Sequence, residues 1–290
     1  MTTEPSEHRA VPDSDVRVTC LLENTSRSPA LVAEHGLSIW VEARGLRILF
    51  DTGQSGAVMD NAQRLGVCIA DADFIVLSHG HYDHTGGLAA ALPAAPRARL
   101  VAHPMASVRR YAVRHGEPAR EIGMPPAARA AIQHLDHARI IGAGETLVPA
   151  DGVGVTGPIA RDAPFEDDGG PFFLDPTGTR RDHLDDDQAL WVASREGLVV
   201  VAGCCHAGVI NTLRQAQRAS GVAAIRALIG GFHLGDADPA RIHATLAALA
   251  EIRPALLAPC HCTGDRATEA LACAFGAHVV PYSAGTHFVF

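Results

Sequence analysis

The chain has 290 residues, 47% of them hydrophobic, and a formal net charge of −8, enough apolar material for a sizeable core in one large domain or two small ones. All 24 basic residues are arginine and acidic residues outnumber them, so with no basic stripe the sequence argues against nucleic acid as the main partner. No apolar run approaches the roughly 20 residues a membrane helix needs, and the start lacks the basic-then-apolar layout of a signal peptide; a cytoplasmic protein that does not engage membranes is expected, with homo-oligomerisation left open.

Residues 1–14 (MTTEPSEHRAVPDS) are polar with two prolines and read as a disordered tail. No linker divides the remainder of the chain, so residues 15–290 are expected to form one domain. Alternating apolar residues predict a strand over 16–22, and a hairpin of 36–42 with 46–50 turning at Arg44-Gly45. Asp51-Thr52-Gly53 closes the second hairpin strand, and 56–65 reads as an amphipathic helix. Glu34-His35, just before the hairpin, is a candidate for the mouth of a site. A buried strand over 73–77 then runs into Ser78-His79-Gly80-His81-Tyr82-Asp83-His84-Thr85-Gly86-Gly87. Extended backbone puts His79 and His81 on one face, the chain turns at Asp83-His84, and Thr85 is the expected N-cap of the next helix. A strand over 99–102 ends at His103-Pro104, where the histidine is either structural or a site contact. A helix carrying Arg109, Arg110 and Arg114 is expected next. Arg109 and Arg110 are either a solvated face or the hold on an anionic substrate group. An Ala-rich helix over 118–136 and short strands near Ile140, Leu147 and Val153 complete the first half.

The stretch over 158–187 is irregular and rich in Asp, Gly and Pro, and a loop of that length in a compact domain is usually functional or mobile. It reads as a lid or substrate-binding insertion; its acidic run Asp185-Asp186-Asp187 reads as solvated or hydrogen-bonded, and His183 is a minor ligand candidate. In the second half, buried strands run into Gly203-Cys204-Cys205-His206, Gly230-Gly231-Phe232-His233 and Pro259-Cys260-His261-Cys262. With the first loop, four apolar strands end in a histidine. Open α/β sheets place ligands at the carboxyl ends of strands, so a metal centre on one rim accounts for this pattern. Three imidazoles and a carboxylate within residues 79–84 suit Zn²⁺ and its neighbours. The seven cysteines (Cys20, Cys68, Cys204, Cys205, Cys260, Cys262 and Cys273) are odd in number and lack framework spacing, which suggests free thiols. Those flanking His206 and His261 are either small buried residues or thiolates in a metal shell.

The HxHxDH pattern at 79–84, after a strand and before Gly-Gly, resembles the signature of the metallo-β-lactamase superfamily. EHGLSI, LFDTGQSG, GCCHAGVINTL, GGFHL and APCHCTG narrow the resemblance, which runs from about Thr19 to Phe290. They are similar to a branch described as metal-dependent hydrolases or dihydropterin–ribofuranosylaminobenzene phosphate synthases. The resemblance implies an α/β fold of α+β type, a four-layer αββα sandwich with one or two metal ions at the sheet edges, and Asp51 supporting the metal loop. It implies His79, His81 and His206 around one ion and Asp83, His84 and His261 around a second. Two departures weigh on the two-ion arrangement. No Gly-His-Thr segment precedes Gln188, and Cys204 stands where a bridging Asp is common. His81, where the di-iron relatives carry glutamate, favours Zn²⁺, with Mn²⁺ or Fe²⁺ as alternatives. The expected chemistry is hydrolysis of an ester, lactone or phosphoester by a metal-activated hydroxide, which Asp83 orients while His233 donates to the leaving group. The alternative is transfer resembling the pterin branch. Either way the partner is a small molecule, anionic or pterin-like.

Overall fold

A computed structural model describes residues 16–166 and 170–290; the tail expected at 1–14 lies outside the described residues. The first half supplies β1 (Arg17–Leu22), β2 (Ser38–Ala43), β3 (Leu46–Phe50), helix α1 (Ala57–Arg64), β4 (Phe74–Val76), the single turn α2 (Tyr82–Thr85), α3 (Leu88–Ala94) and β5 (Arg99–Ala102). Next come β6 (Tyr111–Ala112), β7 (Arg120–Glu121), α4 (Pro126–Gln133), β8 (Ile140–Gly142), β9 (Leu147–Ala150), β10 (Val153–Val155) and β11 (Phe172–Phe173). The second half continues with β12 (Ala189–Ser194), β13 (Gly197–Ala202), α5 (Val209–Ser220), β14 (Ile225–Gly231), α6 (Pro239–Ile252), β15 (Leu257–Cys260), α7 (Asp265–Phe275) and β16 (His287–Val289).

These strands form a seven-stranded sheet ordered β16-β1-β2-β3-β4-β5-β8, a six-stranded sheet ordered β15-β14-β13-β12-β10-β9, and a small sheet ordered β11-β6-β7. Period-two alternation decides what each sheet face touches. Val199 and Val201 of β13 point inward to meet Ile39, Val41, Ile48 and Phe50 of the first sheet. Leu198 and Val200 point the other way, against Ile210 and Leu213 of α5 and Leu249 of α6. On the outer face of the first sheet, Leu49, Ile75 and Leu100 pack on Val58 of α1 and on Leu88 and Leu92 of α3. Helices, sheet, sheet and helices therefore stack in four layers, the expected αββα arrangement. Apart from the small sheet, the strands up to β8 build the first sheet and those from β9 to β15 the second, until β16 returns to pair antiparallel with β1. Among the described residues, no helix is long and apolar enough to cross a membrane.

Strands β3, β4, β5 and β8 run parallel, as do β13, β14 and β15. Parallel order sends the carboxyl ends of β3 and β4 to one rim and those of β13 to β15 to one rim, which is what a ligand site needs.

Three local expectations are corrected. Arg109, Arg110 and Arg114 do not lie on a helix: Pro104 opens only a short 3₁₀ turn, Pro104–Ser107, after which Val108 is extended and β6 pairs with β7. The β-branched and aromatic residues Val108, Tyr111 and Val113 favour that extended backbone. The Ala-rich helix is shorter than expected, beginning at Pro126 because Pro125 is held extended before it. Thr85 is no N-cap; it closes the α2 turn and its hydroxyl donates to the His81 carbonyl at 2.8 Å.

Candidate metal centre

The strand ends at this rim turn sharply. Asp51, Cys205, His233 and His261 all have left-handed backbone, with φ of 56°, 55°, 47° and 54°. Such positions cost a non-glycine residue on the order of 1–3 kcal/mol and concentrate at functional sites. Their effect here is to fold each chain back so that side chains from separate strands face one space.

Three ring nitrogens meet at one point. His79 Nε2 lies 2.9 Å from His81 Nδ1, and His206 Nε2 lies 3.2 Å from both. All three rings are buried. Burial, reinforced by the neighbouring imidazoles, holds His79 and His206 well below the usual imidazole range, and burial does the same for His81. Neutral rings present lone pairs, and the edge of a tetrahedron with about 2.0–2.1 Å Zn–N bonds is about 3.3 Å. The spacing of the trio therefore fits a small divalent ion. The outward nitrogen of His79 is 2.9 Å from Ser78 Oγ, whereas His81 Nε2 and His206 Nδ1 are buried without a partner among the described residues.

A second set adjoins the first. His84 Nε2 is 3.2 Å from His261 Nε2, and Asp83 Oδ2 is 3.4 Å from His261 Nε2 and 3.9 Å from His84 Nε2. Each imidazole is oriented from behind. His84 Nδ1 donates to Asp51 Oδ2 at 2.7 Å and His261 Nδ1 donates to Asn24 Oδ1 at 3.0 Å, leaving both Nε2 atoms to face inward. Burial pulls the His84 imidazole down, but Asp51 and Asp83 outweigh it and push it up to about 9. Burial would raise the Asp83 carboxyl, yet His84, His261 and His35 together hold it well below the usual range. Cys204 stands between the sets. Its Sγ is 3.1 Å from His84 Nε2, and it groups with His79 and His84, with His261 and Cys262, and with His206 and His233, ligand atoms in each group lying within 4.8 Å. The donors are imidazole, carboxylate and thiol, a mixture that suits Zn²⁺ and neighbouring transition ions.

A cavity of about 140 Å³ opens onto these groups, walled by Tyr82, Arg120, Phe172 and His233. Phe172 of β11 packs edge-on over His81 and His206, at centroid distances of 5.1 and 5.5 Å. The irregular segment over 158–187 thus reaches the site. His35 also reaches it, with Nε2 3.0 Å from Asp83 Oδ2, whereas Glu34 turns away to hold Ser55 and Gln54. His103 caps its own turn by accepting from Met105 N. His183 is exposed and belongs to none of the ligand groups. Arg110 is not positioned for substrate: it is buried with Nε on Asp182 and both terminal nitrogens on Asp186. Arg109 is exposed, 4.0 Å from Glu121.

Behind the cluster, Asp51 lies where the resemblance implies, and the acidic run is hydrogen-bonded at Asp186 and Asp187, one of its two expected readings; what the sequence does not disclose is which loops those carboxylates hold, or the part played by Glu23. Asp186 Oδ2 accepts from Gly80 N, between His79 and His81, at 2.8 Å, and Asp187 Oδ2 accepts from Ala207 N, after His206, at 2.7 Å. Glu23 Oε1 accepts from His261 N at 2.8 Å. Adjacent carboxylates between an insertion and a strand were the available signal for the first pair.

The comparisons with known proteins agree with this architecture. The sequence profile of the metallo-β-lactamase superfamily matches residues 32–204. A protein of Methanocaldococcus jannaschii, 7,8-dihydropterin-6-methyl-4-(β-D-ribofuranosyl)-aminobenzene-5′-phosphate synthase, is 30% identical over 247 residues, covering 81% of this chain and 83% of the relative. The crystal structure of Tm1679, described as a metal-dependent hydrolase of the β-lactamase superfamily, superposes with a TM-score of 0.79 at 28% identity, covering 94% of this chain and 98% of its own. A diphosphatase of the PhnP family shares the fold, with a TM-score of 0.51 at 13% identity over 95% of this chain and 98% of that one. With the profile spanning the histidine loop and a relative aligned along most of both lengths, the chain belongs to the metallo-β-lactamase superfamily.

Proposed function

We propose that the protein is a metal-dependent hydrolase acting on an ester, lactone or phosphoester. The observation that carries this reading is the meeting of two adjacent ligand sets, His79–His81–His206 and Asp83–His84–His261, beside a cavity. In this reading the first set holds one divalent ion, Zn²⁺ before Mn²⁺ or Fe²⁺, and the second set holds another. Ions so placed supply Lewis acidity and a water acidified towards neutral pH.

The chain's own residues set the geometry. Asp83, kept ionised by His35, His84 and His261, is the acceptor that orients the attacking water. His233 borders the cavity, its ring 4.3 Å from that of His206, and serves as the donor to the leaving group. Phe172 and Tyr82 line the cavity beside the cluster and give a substrate an apolar wall.

A second reading is favoured by the 30% identity to the synthase: transfer of a dihydropterin-methyl unit to a ribofuranosylaminobenzene phosphate at the same site. The test is turnover by Zn²⁺- or Mn²⁺-loaded protein of generic carboxylic esters, lactones and phosphodiesters, run beside the two synthase substrates. Hydrolysis lost in His233→Ala supports the first reading. Coupled product without hydrolysis replaces it with the second, and bound metal with neither activity removes both.

A further inference from the structure

A second cavity, of about 250 Å³, borders His233 as the first one does, and is lined by Arg114, Asp236 and Arg241. Its arginines come from different elements: Arg114 from the turn between β6 and β7, and Arg241 from the first turn of α6, where it is only 8% exposed. Arg120 of β7 lines the first cavity, with its guanidinium 5.9 Å from the centre of the Tyr82 ring. No carboxylate among the described residues pairs with Arg120; its neighbour Glu121 is shared between Arg109 and Arg129. Among the described residues, the carboxylate lining the second cavity is Asp236, 3.3 Å from Arg114, with a side chain 89% exposed. An ion pair that open to water is worth little and yields readily to a better partner.

The contrast with Arg110 is informative. In a chain of net charge −8, that nearby guanidinium is fully neutralised by two buried aspartates. Arg114 and Arg120 instead line the cavity walls with, among the described residues, a weak acidic partner for the first and none for the second. A guanidinium presents a planar fork of donors matched to carboxylate and phosphate oxygens.

We infer that the second cavity, together with Arg120, is an anion subsite that takes a phosphate or carboxylate group on the far end of a substrate whose reacting bond lies at the histidine cluster. Phe172, which lines the first cavity 6.1 Å from His233 by ring centroids, offers a planar group a surface beside the histidine cluster. The ligand class is therefore an anionic aromatic compound. The inference rests on the proposed reading only in taking the histidine cluster as the reacting end.

Equilibrium binding tests it without turnover. Phenylphosphonate, phenylacetate and neutral phenylacetamide are titrated into full-length protein, metal-loaded and metal-free, at fixed ionic strength. The anions are expected to bind about tenfold or more tighter than the amide in both forms. The ratio of phenylphosphonate to phenylacetate distinguishes phosphate from carboxylate as the natural group. The Arg114→Ala/Arg120→Ala variant is expected to lose that preference while keeping its metal content. Asp236→Asn, which frees Arg114, is expected to tighten anion binding several-fold. An anion preference undiminished in the double variant, or present only with metal, would mean that Arg114 and Arg120 do not hold the anion, and the subsite is overturned. No preference in the wild type overturns it as well. Absent hydrolysis with this binding pattern intact would count against the proposed function and leave the subsite standing.

Discussion

Asp51 shows how much one side chain at the end of a strand can decide. Its carboxylate accepts from Ser78 N at 2.7 Å, Ser78 Oγ at 2.6 Å and His84 Nδ1 at 2.7 Å, so it holds both the start of the histidine loop and the tautomer of one inward-facing ring. Replacing it with asparagine puts an amide donor against groups that already donate. Such support residues typically carry 10–100-fold of metal affinity; Asp51→Asn is expected to lose on that order in a competition titration with a chromophoric chelator, with the far-ultraviolet circular dichroism unchanged. Gly80 is constrained by space instead. A Cβ there would stand 2.0 Å from the Ala106 carbonyl oxygen and 2.3 Å from Arg110 Nη1. The first of these is backbone and cannot swing aside. Gly80→Ala is expected to destabilise the fold by roughly 1–3 kcal/mol, read as a lowered urea midpoint, with a parallel fall in metal affinity because His79 and His81 flank it.

At the scale of elements, the segment entering β12 works as a clamp. Asp186 is tied to Arg110 and grips the loop after β4, Asp187 grips the loop after β13, and Gln188 N and Nε2 donate to Ser78 O and Leu77 O. Both gripped loops belong to the His79–His81–His206 set. Asp187→Ala and Asp186→Asn are therefore expected to weaken one equivalent of Co²⁺ by about 10–100-fold and leave the equivalent held by Asp83, His84 and His261 near its wild-type affinity. Asp185→Asn, at an exposed position, should change neither, and equal weakening of both equivalents in the clamp variants would defeat the idea. This clamp marks the boundary of what the sequence discloses. Histidines at the ends of apolar strands are legible because periodicity and a glycine-rich turn are local features. Whether a carboxylate in DDD is solvated or buried depends on the element packed over it, here Arg110 and the ends of two other strands. The small sheet was illegible for a related reason: β6, β7 and β11 are two residues each, too short to show a period, so Phe172 and Arg120 could be placed at the site only through pairing across about 60 residues of chain.

Over the whole molecule, the site joins two sheets that otherwise meet through apolar side chains. His79, His81, Asp83 and His84 leave the first sheet and His206 and His261 leave the second, so an ion held by either set ties the two layers at their rim. With Phe50, Val199, Val201 and Ile229 buried in the inner core, the sandwich is expected to fold without that tie and the rim loops to depend on it. Binding to the native state alone stabilises by RT ln(1 + [L]/Kd), about 2.7 kcal/mol at one hundred times Kd, and about 2–4 °C per kcal/mol is usual for a chain of 150–250 residues. Metal-loaded protein is therefore expected to melt on the order of 5–10 °C above chelated protein. Hydrogen exchange should locate the difference: on metal removal the amides of 79–86, 203–208 and 261–264 are expected to speed up together, while those of β2, β3, β13 and β14 stay protected. Because each ligand set draws on both sheets, His206→Ala should bring the faster exchange to the 79–81 loop even with metal present. Loosening confined to the 203–208 loop in that variant would show that the two sheets do not share an ion at that set.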